Sequence, residues 1–242
     1  MILYANGCSH TAAAEAVVPE CFAVDDGRHG IDRSPHPQNL AASWCAHVAK
    51  NLGMHLVCDA ESGGSNPRII RTTRCWLESN PDIWLDTLVI IQWTTWEREE
   101  WLHKDIWYQV NASGLDWVPS ELQERYKRFV IDVDWAAAAQ RCHDQAWQLH
   151  QWLLDRQIRH LFFNGHGSFG SIQNQLDWGH FYMYPYQAQM SYHAWLIQNG
   201  ARFARPNSNH FDAASHRLWA ENVLQYIHHN QILDPIDEIS AD

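Results

Sequence analysis

The sequence has few basic residues: 17 lysines and arginines stand against 28 aspartates and glutamates, which gives a formal net charge of −11 at pH 7. Proteins that bind nucleic acid normally carry a basic patch, because neutralising phosphates dominates their affinity. The longest basic cluster here is the short run from Arg125 to Arg128. We therefore expect neither nucleic acid nor an anionic membrane surface to be a main partner.

A long apolar run is also missing, and no segment is apolar for long enough to cross a membrane. The first residues, Met1–Gly7, lack the basic start and the full apolar core of a secretion signal. We interpret them as a buried strand instead. These two absences predict a location in the cytoplasm, or in a virion if a phage encodes the protein.

Cysteine pairs at metal-site or redox spacing are absent as well. The six cysteines are scattered without a C-x-x-C, which in a chain of this length favours reduced thiols over a disulfide framework or a zinc ribbon. The 16 histidines include no H-E-x-x-H or similar ligand spacing. A zinc site is therefore the minor interpretation, and we expect no metal and no organic cofactor.

The length of 242 residues, with 46% hydrophobic residues, suits one α/β domain with elaborations. We predict a single domain over residues 1–230. Insertions are predicted around 101–130 and 165–191, and an acidic C-terminal tail over 231–242.

Apolar runs and helical spacing alternate along this domain. The predicted strands are Ile2–Asn6, His55–Cys58, Thr87–Ile91, His160–Phe163 and a short fifth one around Ala201–Ala204. The predicted helices are Leu40–Leu52, a helix capped by Asn66, Trp135–Leu154 and Ala213–His229. This alternation predicts a three-layer α/β/α flavodoxin-like domain with a central parallel sheet of four or five strands.

Three short patches carry the chemistry. They are G-C-S-H-T at 7–11, G-G-S-N at 63–66 and D-A-A-S-H at 212–216. The first two follow predicted strands, where ligands bind in parallel sheets. Serine hydroxyl is a poor nucleophile unless a base takes its proton, and a third group commonly orients that base. Ser9 and His216 are the candidate nucleophile and base.

The patches resemble the SGNH hydrolase (GDSL-like esterase/lipase) superfamily, and together they look like a divergent branch found in bacteriophage and marine bacterial proteins. The resemblance implies that Ser9 is the nucleophile and that its N–H serves the oxyanion hole. It implies Gly64 N–H as the second oxyanion donor. The family's Asp-x-x-His block would place the base at His216 and the orienting acid at Asp212, with a spacing one residue longer here.

In one block this chain departs from the pattern of the family. Where the family has Gly-x-Asn-Asp after the third strand, this chain has Q-W-T-T at 92–95. Thr94 stands where the oxyanion asparagine would be, and Gln92 or Asn66 could supply an amide instead. Loss of one such donor typically lowers the rate about a hundred- to a thousand-fold.

Each site residue also has a purely structural interpretation. Ser9 could cap a following helix, and Asp212 could cap the last one. Gly63 and Gly64 could form only a tight turn. The joint placement of the patches at strand ends favours the shared site.

The sequence therefore predicts a hydrolase of carboxylic esters that uses a small-molecule or glycan ester. O-acetyl groups on sugars are the preferred class, because the loops are rich in tryptophan and tyrosine. The alternative is a non-catalytic binding or assembly protein that keeps the same fold. The oligomeric state stays open.

Overall fold

The computed structural model describes residues 1–23, 33–112, 118–234 and 236. The strands are β1 (Ile2–Asn6), β2 (His55–Cys58), β3 (Thr87–Trp93), β4 (Glu99–His103), β5 (Ile106–Val110), β6 (Arg159–Asn164) and β7 (Tyr182–Met183). The α-helices are α1 (Pro37–Ala41), α2 (Trp44–Leu52), α3 (Asn66–Glu78), α4 (Gln123–Ile131), α5 (Trp135–Leu154), α6 (Tyr192–Gln198) and α7 (Ala213–His229). Short 3-10 helices cover Pro81–Asp86, Ser120–Leu122 and Ala188–Met190.

Five strands form a parallel sheet in the order β2-β1-β3-β6-β7. Counted within the sheet alone, this is the strand order 2-1-3-4-5 of flavodoxin-like folds. After β1 the chain moves to one side of the sheet, and after β2 it returns to place β3 on the other side of β1. Such a reversal opens a crevice at the carboxyl ends of β1 and β3, which is where these folds bind ligands.

The central strand β3 is buried along its whole length and divides the core into two. Leu88 and Ile90 pack with α2 and α7, whereas Val89 and Ile91 pack with α3 and α5. Because successive side chains of a strand point to opposite faces, the sheet is covered on both sides. The predicted three-layer α/β/α flavodoxin-like fold is confirmed.

The fifth strand lies elsewhere than predicted. It is the two-residue β7, Tyr182–Met183, within the segment 165–191 that was interpreted as an insertion. The predicted strand at Ala201–Ala204 forms only an isolated bridge between Phe203 and Phe211. A strand of two residues is too short to show the period-2 alternation that identifies a strand from sequence.

Two helix starts also differ from the prediction. The predicted helix Leu40–Leu52 is two helices, separated where the side chain of Ser43 caps α2. Asn66 is the first residue of α3 rather than its cap. Ser65 caps that helix, and its Oγ accepts from the N–H of Arg68 at 3.3 Å. The side chain of Asn66 therefore makes its contacts outside the cap of this helix.

The segment that was predicted as an insertion at 101–130 contains a small core of its own. Its hairpin β4–β5 and helix α4 share a small core made by Trp101, Val110, Val118 and Tyr126. Nε and Nη2 of Arg71 in α3 donate to the carboxylate of Glu100, at 2.9 and 3.0 Å. Residues 113–117 of this prediction lie outside the described residues.

The start of the C-terminal segment, after α7, packs onto the domain. Ile232 is buried in the core on the α2–α7 side. The rest of the predicted tail, residue 235 and residues 237–242, lies outside the described residues, as do 24–32 of the predicted loop 17–38. Within the described ranges, no helix combines the length and apolar character that a membrane span needs.

Candidate active site

Ser9 lies in a turn that is fixed to the carboxyl end of β1. The buried side chain of Asn6 accepts from Gly7 N–H at 2.8 Å and starts the turn. A Cβ on Gly7 would overlap Thr11 Oγ1, so glycine is required for this close approach. Thr11 Oγ1 in turn donates to Gln92 Oε1 on β3 at 2.6 Å. The turn therefore bridges β1 and β3, at the topological switch of the sheet.

Both hydrogen-bonding groups of Ser9 that matter for acyl transfer are unengaged. Neither its hydroxyl nor its main-chain N–H bonds to any described residue. The residue is 7% exposed, so a small substrate group can reach it. The segment after Ser9 forms turns rather than an α-helix, so Ser9 does not cap a helix.

The side chain of His216 is hydrogen-bonded to α2 rather than to Ser9. Its ring is buried in the first turn of α7, and Nδ1 accepts from the main-chain N–H of Trp44 at 3.4 Å. No hydrogen bond joins His216 to Ser9 in the described part of the chain. Burial lowers the pKa of His216 to about 3, with smaller contributions from neighbouring histidines. The ring is therefore neutral near pH 7 and lies between α7 and α2.

Asp212 takes the second of its two possible roles. It is the N-cap of α7, and its Oδ1 accepts from Ser215 N–H at 2.8 Å and from Ser215 Oγ at 2.7 Å. Among the described residues, no hydrogen bond connects its carboxylate to the ring of His216. The predicted Asp212–His216 pair is therefore not formed.

His210, which the sequence interpretation passed over, has the surroundings of a general base. Its Nδ1 lies 3.2 Å from the carboxylate of Glu15, and Nε2 makes no hydrogen bond to a described residue. The ring centroid is 5.3 Å from that of His10, the residue that follows Ser9. A carboxylate-bound imidazole with its other nitrogen open thus lies beside the Ser9 turn.

The register of the C-terminal motif explains why His210 was missed. An Asp-x-x-His pattern ending at His210 would need an acid at position 207, which is Asn207. In the C-terminal segment 201–229, His216 follows an aspartate at similar spacing, four residues after Asp212. A search that did not demand a local acid would have offered both histidines equally.

Three further histidine rings line the same edge of the sheet. His10 Nε2 lies 2.8 Å from His166 Nε2, and the ring centroids of His166 and His193 are 4.9 Å apart. Burial lowers the pKa of His10 well below its usual range and that of His166 to about 4. The rings are therefore neutral near pH 7. Across the described ranges, no group of three potential ligand side chains is placed to hold a metal ion.

Two of the predicted oxyanion donors are already engaged. Gly64 N–H donates to the main-chain oxygen of Glu61 at 2.9 Å. Asn66 accepts from Thr94 N–H at 2.9 Å, and its amide donates to Thr94 O at 3.3 Å. Asn66 thus joins α3 to the end of β3 and is structural in this state.

The other two predicted donors are buried without a partner. Neither Gln92 Nε2 nor Thr94 Oγ1 has a hydrogen bond to a described residue. The Gln92 side chain lies between the Ser9 turn and Gly165, where a Cβ would be 3.3 Å from Nε2. A buried donor without a partner costs about 1–3 kcal/mol, so Gln92 Nε2 is a candidate for an interaction completed by ligand.

A polar and aromatic groove of about 250 Å³ lies next to Asn66. Trp96 and Arg98 line it from the loop after β3. Trp96 stacks on Phe169, with ring centroids 4.6 Å apart, and Arg98 Nη1 donates to Gly64 O at 3.3 Å. The groove places an aromatic face and a cation close to the second sequence patch.

Comparison with known proteins gives one structural likeness. No family model and no curated protein sequence matches the chain. A solved structure from Desulfitobacterium hafniense DCB-2, a "putative lipolytic protein of G-D-S-L family", has 12% sequence identity and a TM-score of 0.36. The alignment covers 93% of this chain and 98% of that one. Our fold assignment depends on the sheet topology described above.

Proposed function

We propose that this protein is a divergent SGNH-type serine hydrolase of carboxylic esters, with Ser9 as nucleophile and His210 as base. One observation carries the proposal. The imidazole of His210 has Nδ1 on a carboxylate and Nε2 without a hydrogen bond to a described residue, and it lies beside His10 in the turn that carries Ser9, whose hydroxyl is unengaged. An activated serine requires such a base, and its placement at the carboxyl ends of β1 and β3 is where this fold binds ligands.

In the proposed reaction, His210 Nε2 takes the proton of Ser9 as Oγ attacks the ester carbonyl. The tetrahedral intermediate collapses, and His210 gives the proton to the departing alcohol. Water then attacks the acyl-Ser9 ester as His210 takes its proton, and His210 returns that proton to Ser9 Oγ when the carboxylic acid leaves. No metal or organic cofactor takes part in this sequence of steps.

The oxyanion donors differ from those that the family resemblance implies. Ser9 N–H is open, and Gln92 Nε2 is a buried donor without a partner on a side chain that contacts Thr11 of the Ser9 turn. Gly64 N–H would have to give up its bond to Glu61 O before it could contribute. We therefore propose Ser9 N–H and Gln92 as the main donors, with slow turnover on simple esters.

O-acetylated carbohydrate is the substrate class that we propose. Sugars bind on aromatic faces combined with polar and charged side chains. The groove with Trp96 and Arg98 offers both next to the second patch. Phe203 offers a further aromatic surface, because it is 42% exposed and its ring centroid lies 6.1 Å from that of His193.

A non-catalytic binding protein of the same fold is the second candidate. The observation in its favour is that Gly64 N–H and the Asn66 amide are both engaged within the protein. Such an arrangement leaves fewer donors for a developing oxyanion than a hydrolase normally presents. In that case the protein would keep this fold and bind a glycan without hydrolysing it.

Hydrolysis of p-nitrophenyl acetate and of acetylated oligosaccharides separates the two candidates. We expect slow hydrolysis that Ser9→Ala removes. The matched control is Ser79→Ala, which changes an exposed serine at the end of α3. Absence of hydrolysis above background in the wild type, together with glycan binding, would favour the binding protein.

A further inference from the structure

We propose that Glu15 is the carboxylate that positions His210, so that nucleophile and orienting acid lie on the same loop after β1. The proposal rests on the proposed function for its catalytic consequence, but the contact itself can be measured without turnover. It replaces the acid that the C-terminal motif lacks, since position 207 is Asn207 and Asp212 caps α7.

The carboxylate of Glu15 is held by three side chains at once. Oε2 accepts from Ser208 Oγ and lies 3.2 Å from His210 Nδ1, while Oε1 pairs with Arg205. Ser208 Oγ also accepts from His210 N–H at 2.9 Å. The loop before α7 therefore binds Glu15 through three side chains, and the bond from His210 N–H to Ser208 Oγ holds two of them together.

Charge and burial suit this role. The side chain of Glu15 is 18% exposed, and burial alone would raise the pKa of its carboxyl. Hydrogen bonds from Ser208 and His210 and the charge of Arg205 outweigh burial and leave that pKa below its usual value. The carboxylate is thus ionised near neutral pH. An ionised acceptor on Nδ1 fixes the imidazole tautomer that carries its proton there and leaves Nε2 free as the base.

The backbone of the loop after β1 has an unusual conformation at two residues. Glu15 has φ of 66°, and Ala13 in the same loop has φ of 52°. Residues with side chains rarely adopt this left-handed region, so the conformation of the loop is strained. The strain is located where Glu15 turns its carboxylate toward the loop before α7.

The first test is a nitrogen NMR measurement on protein labelled at its histidines, with the His210 signal assigned by its loss in His210→Asn. We expect the wild-type ring to carry its proton on Nδ1, and Glu15→Gln to give a mixture of tautomers. Glu15→Asp, which keeps the charge, should retain the Nδ1–H form. Glu20→Gln, on the same segment and exposed, is the matched control and should change nothing.

The second test is kinetic and uses the same variants with p-nitrophenyl acetate. Glu15→Gln should lower kcat on the order of a thousand-fold with KM little changed, and Glu15→Asp should recover at least about tenfold of that loss. Arg205→Gln, which removes a partner of Glu15 but no contact to His210, should have a much smaller effect.

The two tests fail separately. An unchanged His210 tautomer in folded Glu15→Gln would overturn the positioning role, whatever the activity. If Glu15→Gln does not fold, Glu15→Asp decides instead. Loss of both the Nδ1–H form and kcat in folded Glu15→Asp, which keeps the carboxylate, would overturn the positioning role as well. A wild type that shows the Glu15-dependent tautomer but hydrolyses no ester would retain the contact and contradict the hydrolase proposal instead.

Discussion

His210 and His216 lie six residues apart, and the structure gives them opposite environments. His216 is buried between α7 and α2, accepts a main-chain N–H on Nδ1 and has its pKa lowered to about 3 by burial. The side chain of His210 is 22% exposed and binds a carboxylate through Nδ1. A general base needs an open nitrogen near the reacting proton, and His210 offers one beside the Ser9 turn.

The difference teaches where a base comes from in this fold. The start of α7 turns His216 into the core, because a residue in the first turn of the helix lies against α2. Residues before the cap follow the edge of the sheet and meet the loop after β1. The acid partner of a base on that loop need not be local in sequence, as the contact of Glu15 with His210 shows.

The largest expected effect follows from removing the proposed base, His210, or its partner Ser9. Ser9→Ala and His210→Ala should each lower kcat at least about a thousand-fold, because each removes one half of a nucleophile–base pair. The double variant should be little worse than either single one, since the two residues act as a unit. Steady-state kinetics on p-nitrophenyl acetate measures this, and full additivity would contradict the pairing.

A smaller effect is expected at the oxyanion donor. Gln92→Met, which keeps the length of the side chain but removes its amide, should lower kcat roughly a hundred-fold with KM little changed. Thr94→Val serves as the matched variant, since it removes the other unpartnered buried donor. A larger loss in Thr94→Val than in Gln92→Met would move the oxyanion assignment to Thr94.

The variant His216→Asn tests the histidine that we do not expect to act as the base. The variant should keep kcat within about threefold of the wild type. It should lower the free energy of unfolding by about 1–3 kcal/mol, because it leaves a cavity and weakens a buried contact with Trp44 N–H. Urea unfolding followed by fluorescence measures the stability. A folded His216→Asn protein without activity would restore His216 as the base.

The smallest expected effect is a difference in pH dependence. Burial lowers the folded-state pKa of His216 to about 3, against about 6.5 when unfolded, so its contribution to stability is present above pH 6.5 and lost as the pH falls toward 3. Between pH 7 and pH 5 the wild type should lose about 2 kcal/mol more than His216→Asn. Equal losses in urea unfolding at the two pH values would show that His216 is not buried as a neutral ring.

Much of the fold could be predicted because its signals are local. The apolar run of β3, the helical spacing of α5 and the cap of α7 each identify an element from neighbouring residues. The strand β7 could not be predicted, since two residues show no period. Its place follows from pairing with β6, a contact over some twenty residues of chain.

The candidate site divides in the same way. The position of Ser9 after β1 was predicted from its own segment, and the sheet topology places it at the switch point as expected. The engaged state of Gly64 and Asn66 and the contact between Glu15 and His210 depend on which loops the fold brings together. Such contacts leave no pattern in a single sequence.

The most direct test of the central claim is labelling with a serine-directed fluorophosphonate, followed by mass spectrometry of the labelled peptide. The account predicts an adduct on Ser9 in the wild type and in His216→Asn, and little or none in His210→Ala. Labelling that persists in His210→Ala but disappears in folded His216→Asn would contradict the assignment of the base. A wild type that takes no label at Ser9 would contradict the hydrolase itself.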